Sequence, residues 1–124
     1  MNKKILVADD EPNIVISLEY LLKREGYTVL LARDGQQALD TIIQERPDLV
    51  LLDVMMPGKS GFEVCQAVRA NEELQGTKIL MLTAKGRDTD LAKGTALGAD
   101  DYMTKPFSTR ELAEKVARML GRLP

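Results

Sequence analysis

The chain has 124 residues, 44% hydrophobic and 29% charged, which suits one domain (1–124) with a single core. Its net charge of −2 does not favour nucleic acid, which wants a basic stripe or face. Its apolar runs, such as "LVLLDVMM" broken by Asp53, fall short of the roughly 20 residues a membrane span needs.

"KKILVAD" is expected to form a buried first strand, without the apolar stretch of a signal peptide before it. Pro12 then starts a helix, where its missing N–H costs nothing. Ile14, Leu18, Leu21 and Leu22 share one face of that helix, and Gly26 stops it. "YTVLLA" is a second strand, and "GQQALDTIIQER" a second helix with Ala38, Leu39, Ile42 and Ile43 expected inward. Pro47 ends it, and "DLVLLD" reads as a central parallel strand, apolar almost throughout.

After the loop "VMMPGKSG", Ser60 and Glu63 predict a capping box for a third helix carrying Phe62, Cys65 and Val68. "KILMLT" is the fourth strand. Asp88 is the expected N-cap of a fourth helix, "TDLAKGTALG", poor in large apolar residues and interrupted by Gly94. That helix is expected to be the least stable. "DYMTK" is a short fifth strand. Ser108 and Glu111 predict a second capping box, and Leu112, Val116, Met119 and Leu120 the buried face of the last helix.

This alternation predicts an α/β fold: a flavodoxin-like (βα)5 doubly wound parallel sheet of strand order 2-1-3-4-5. Ligands in such sheets bind outside the carboxyl ends of the strands, where strands 1 and 3 part. There the sequence places Asp9 and Asp10, Asp53, Thr83 and Lys105. Taken singly, each Asp is ordinarily a turn or cap residue, Thr83 a β-branched strand residue and Lys105 a solvated charge. Together they form one constellation. Clustered carboxylates repel one another unless a hard cation joins them, and two or three carboxylates with room for water suit Mg²⁺. A phosphoryl group needs partners for its oxygens, and metal, ammonium and hydroxyl supply three. The chain has no histidine, so Asp53 is the natural nucleophile, forming an acyl phosphate.

The motifs "DDE", "LLDVMMPGKSGFE", "LTA" and "GADDYMTKPFS" together resemble the receiver domains of two-component response regulators, the CheY-like family, over essentially the whole chain. The resemblance implies that Asp53 is the phosphoacceptor. Asp10, Asp53 and the Met55 carbonyl would bind Mg²⁺, with Asp9 helping through a water. Lys105 would contact the phosphoryl oxygens beside a cis peptide to Pro106. Thr83 would swing in to the phosphoryl group, and Tyr102 would turn inward behind it. The donor would be a sensor histidine kinase or phosphotransfer protein, docking around Asn13 and Ser17. The domain would not be an enzyme beyond self-phosphorylation and slow self-dephosphorylation, since neither Met55 nor Lys85 can position a water. A cytoplasmic location is expected, and the lone Cys65 agrees with a reducing compartment.

"GADDYMTKPFSTREL" is closest in pattern to receivers of the OmpR/PhoB type. These dimerise through helix 4, strand 5 and helix 5, where Asp100, Asp101, Glu111, Lys115 and Arg118 would pair. Leu91 departs from that pattern where a basic residue is expected. It is either turned inward or part of an apolar patch for another partner. The chain is either a stand-alone regulator or a receiver from a longer protein.

Three rivals fit less well. "GKS" at 58–60 resembles the end of a phosphate-binding loop, but its first glycine would have to be Asp53. A phosphatase of the haloacid-dehalogenase type needs a second Asp where Met55 stands. A flavin-binding module needs more than the 4% aromatic content present.

Overall fold

The computed structural model of the protein describes residues 2–84 and 88–122. Five parallel strands form one sheet: β1 (Lys4–Ala8), β2 (Thr28–Ala32), β3 (Leu49–Asp53), β4 (Lys78–Ala84) and β5 (Asp101–Lys105). Their order is β2-β1-β3-β4-β5, as the alternation predicts. β3 is buried at every residue, as befits a central strand covered on both faces.

Successive side chains of each strand point to opposite faces and so feed two cores. Leu6, Val50, Leu52, Ile79 and Met81 pack beneath α2 (Gly35–Glu45) and α3 (Gly61–Ala70). Ile5, Val7, Leu49, Leu51, Leu80 and Leu82 pack against α1 (Pro12–Arg24) and α5 (Thr109–Met119). The remaining helix, α4 (Asp88–Ala96), lies on the first of these faces, with Gly94 near Met81 and Phe62. No helix among the described residues is long and apolar enough to cross a membrane.

The helix boundaries follow local chemistry. Pro12 is the first residue of α1, and the chain turns off it through Gly26 at φ +94°. Asp34 caps α2 by accepting from the Gln37 N–H at 2.7 Å. Ser60 and Glu63 form the complete capping box of α3. Ser108 accepts from the Glu111 N–H at 3.0 Å, but the return bond from Glu111 is not made, so only half of the second box forms. A short 3₁₀ turn, Glu72–Leu74, stands between α3 and β4 without having been expected.

Two expectations on the helices change. Ile43 is half-exposed rather than inward. α2 covers the sheet edge with a narrow stripe, Ala38 and Ile42 with Leu39 beside them, and Ile43 falls one step past it. α4 begins at Asp88 itself, not one residue later, and its last expected turn has ended by Ala96. The side chain of Asp88, and Lys85 altogether, lie outside the described residues.

Close backbone packing fixes the loop after β3. Gly61 N–H donates to the Val54 carbonyl at 3.0 Å, and a Cβ on Gly61 would collide with the backbone oxygen of Asp53. A Cβ on Gly35 would likewise strike the Lys59 carbonyl. Glycine at these two positions lets α2 and α3 clamp the segment that leaves Asp53.

Candidate functional site: an acidic pocket at the strand ends

β1 and β3 are neighbours in register, Ala8 opposite Leu52. Asp9 and Asp10 therefore emerge beside Asp53. Ligand oxygens of all three lie within 4.8 Å of one another. Asp9 is fully buried and Asp53 nearly so, while Asp10 is open to solvent.

Lys105, the last residue of β5, reaches into this cluster. Its Nζ lies 2.8 Å from Asp9 Oδ2, 3.0 Å from Glu11 Oε1 and 3.5 Å from Asp53 Oδ1. The peptide between Lys105 and Pro106 is cis. Burial works against the ammonium, but bonds to Asp9 and Glu11 and the charge of Asp53 outweigh it and raise its pKa.

Asp53 is held at about 6, well above an ordinary carboxylate. Burial is the chief cause and the Asp9 charge the second; Lys105 and the Met55 N–H, at 3.2 Å from Oδ1, pull the other way. The pocket thus holds more negative charge than its own groups neutralise. The structure fits a hard divalent cation here: three convergent carboxylates, one of them costly to ionise alone. Asp9 has its Oδ1 bonded to the Glu11 N–H at 2.9 Å and its Oδ2 on Lys105, so neither oxygen is idle. Asp10, exposed and adjacent, has more freedom to serve as a direct ligand.

Thr83 stands near the end of β4, next to β3. Its Oγ1 is buried and has no hydrogen-bond partner among the described residues. A buried hydroxyl without a partner is costly.

Tyr102 stands outward, 44% exposed; its inward turn is expected only with Thr83 drawn to a phosphoryl group. Asp100 is not free on the surface as its proposed pairing requires. Its Oδ2 accepts from Arg69 at 2.7 Å and from the Ile79 N–H at 2.8 Å. Asp101 pairs with Lys115 of the same chain at 3.0 Å. Glu11 is the N-cap of α1. Its contact with Lys105, 94 residues away, was not legible in the sequence; its place after "DD" is the one hint.

The family model described as the response regulator receiver domain matches residues 5–117. A Chloroflexus aurantiacus chain described as a response regulator is 36% identical, over 98% of this chain and 100% of that one, with a TM-score of 0.93. The chemotaxis response regulator CheY4 of Vibrio cholerae is 34% identical, over 96% and 99%, at 0.90. The receiver domain of the sensor histidine kinase PA1611 from Pseudomonas aeruginosa is 31% identical, over 98% and 99%, at 0.89. Its structure has a magnesium ion coordinated in the active-site cleft. Sheet order, the acidic pocket and a match over nearly the whole length agree, and the chain belongs to the response regulator receiver domains of two-component signalling.

Proposed function

We propose that this domain accepts a phosphoryl group on Asp53 from the phosphohistidine of a sensor histidine kinase or phosphotransfer protein. The observation that carries it is the convergence of a buried, strained carboxylate with a largely covered ammonium and a buried hydroxyl that has no partner among the described residues. In the transfer, an Asp53 carboxylate oxygen forms a bond to phosphorus while the P–N bond to the imidazole breaks. The imidazole leaves with the electron pair and regains its proton balance from solvent.

Asp10, Asp53 and the Met55 carbonyl, aided by Asp9, would hold Mg²⁺, which would supply charge neutralisation for the pocket and for the phosphoryl oxygens. Lys105 holds a phosphoryl oxygen by a charge-assisted hydrogen bond. Thr83 donates its hydroxyl to another, which ends its isolation. That movement leaves room behind Thr83 beside the small Ala84, and Tyr102 turns in to take it. The response passes to the surface of α4, β5 and α5, which an effector or partner reads.

Return to the resting state requires water to attack phosphorus and the P–O bond to Asp53 to break. The Met55 side chain is exposed and ends in a thioether, so it cannot orient that water. The acyl phosphate is therefore long-lived, minutes to hours and not seconds, and the domain is a switch instead of a turnover enzyme. Its setting is the cytoplasm, without direct contact to nucleic acid or membrane. A homodimer through α4, β5 and α5 would have to share Asp101 and Lys115, which already pair within the chain. Sedimentation with and without beryllofluoride tests that step.

The deciding experiment is intact-mass spectrometry with acetyl phosphate and Mg²⁺. One phosphoryl group is expected, absent in Asp53→Asn and without Mg²⁺. No gain from a small donor or from a kinase leaves only a binding module, and rapid hydrolysis of ordinary phosphate monoesters makes the domain a phosphatase.

A further inference from the structure

Glu11 sits at the N-cap of α1, where a side chain ordinarily bonds to the first-turn N–H groups. It makes no such bond. Its carboxylate instead crosses to Lys105 at 3.0 Å, while its own N–H fixes Asp9 Oδ1. The Lys105 ammonium has three N–H donors and three carboxylate partners: Asp9, Glu11 and, more distantly, Asp53. The short contacts are those to Asp9 and Glu11, so a phosphoryl oxygen arriving from Asp53 has to compete with them for the ammonium.

We propose that Glu11 is a placeholder for the phosphoryl group, a positioning residue that occupies Lys105 in the resting domain and must leave before Lys105 can engage phosphate. The inference rests on the phosphoacceptor reading above and names a control on it.

Of the three acids, Glu11 alone can go cheaply. Asp9 is fully buried and held at both oxygens, and its departure would strand a buried charge. Asp53 is the group that receives phosphorus. The Glu11 side chain is 58% exposed, whereas that of Lys105 is 15% exposed. Glu11 can rotate into water and recover its hydration, while the lysine stays in the pocket for the incoming anion. An arriving phosphoryl group repels Glu11 and attracts Lys105, so both forces favour the exchange. Until then the latch guards the pocket against small anionic donors.

The test compares wild type with Glu11→Gln, Glu11→Asp and a control, Glu19→Gln. Asp keeps the charge but is one methylene too short to hold the contact. Glu19 lies on the same helix but pairs with Lys23, away from the pocket. The initial rate of phosphorylation by subsaturating acetyl phosphate is followed by intact mass. Both Glu11 variants are expected to react about three- to tenfold faster than wild type, and Glu19→Gln within twofold of it. A second readout needs neither metal nor phosphate: labelling of Lys105 by an amine-reactive reagent in chelator-treated protein. It is expected to rise by a similar factor in both Glu11 variants alone.

Unchanged rates and labelling in the Glu11 variants overturn the latch. So does a fast Glu11→Gln beside a wild-type Glu11→Asp, which would mean charge repulsion without a contact. Wild-type protein that takes no phosphoryl group sinks the phosphoacceptor reading itself, and the latch with it.

Discussion

Helices α4 and α5 flank the same edge strand, β5, and are anchored by different means. α5 drives Leu112 and Val116 into the core until both are fully buried, with Met119 and Leu120 packed beside them. α4 buries only Asp90 and Gly94 among its described side chains, and Leu91 is half-covered. Each fully buried aliphatic side chain contributes about 1.5–3 kcal/mol. α5 thus shares the stability of the domain, while α4 adds less apolar burial among its described side chains, along with lighter contacts. One of these is the Lys93 ammonium over the Phe62 ring at 4.6 Å. A firmly anchored helix and a lightly anchored one thus flank the same strand, and local opening is expected to cost less at α4 than at α5.

The largest test of this contrast is a pair of truncations. Leu112→Ala is expected to cost about 2–4 kcal/mol in urea unfolding. Leu91→Ala is expected to cost under about 1 kcal/mol. Similar losses at both positions would abolish the contrast.

Next in size is a change in the pocket itself. In metal-free protein Asp53 binds its proton more tightly folded than unfolded, at about 6 against an ordinary value near 4. The folded state therefore holds the extra proton between about pH 4 and 6, and stability falls as pH rises through that window. Asp53→Asn removes the fall. It is expected to stabilise chelator-treated protein by up to about 2 kcal/mol at pH 7.5 and by little at pH 4. Saturating Mg²⁺ should shrink the gain by stabilising wild type. A gain equal at both pH values would remove burial of the carboxylate as its cause. Because the pocket strain acts on global unfolding, both helices should benefit alike in thermal melts, which separates it from the local looseness of α4.

Gly94→Ala attacks the contrast from the other side. A Cβ there would meet Met81 Cγ at 3.5 Å and Phe62 Cε1 at 3.8 Å, ordinary contact distances. Alanine adds this contact and removes the flexibility of an interior helical glycine, so a gain of about 0.5–1 kcal/mol is expected. Hydrogen exchange should slow in α4 and stay unchanged in α5. If phosphorylation works by moving α4, this variant should take the phosphoryl group normally and transmit it less.

The sheet order and the pocket were legible in the sequence because each depends on short-range pattern. Alternating strands and helices dictate parallel pairing, and the fold then brings Asp9, Asp10, Asp53, Thr83 and Lys105 to one edge. What escaped depends on how far a side chain reaches in space. Ile43 misses the core because α2 crosses the sheet edge with a stripe too narrow to include it. Asp100 looked like a free surface acid, but Arg69, at the end of α3, reaches it and the Gly98 carbonyl at 2.8 Å. The Glu11 contact with Lys105 joins the two ends of the chain. Tyr102 stands outward in a structure whose Thr83 hydroxyl has no partner among the described residues.

The smallest expected effect concerns an ion pair between β5 and α5. Lys115 and Asp101 meet at 3.0 Å with side chains 27% and 38% exposed. Water screens such a pair, and it is worth roughly 0–1 kcal/mol. Lys115→Met keeps most of the aliphatic stem and is expected to change stability by less than about 0.5 kcal/mol, with no loss of protection in α5. A loss above about 1.5 kcal/mol would mean that α5 is held by charge instead of by Leu112 and Val116, and the contrast with α4 would fail at its stronger end. If the small value holds, Asp101 and Lys115 can exchange their internal pairing for an external one at little cost. A partner that took over either charge would then work against water and not against the core.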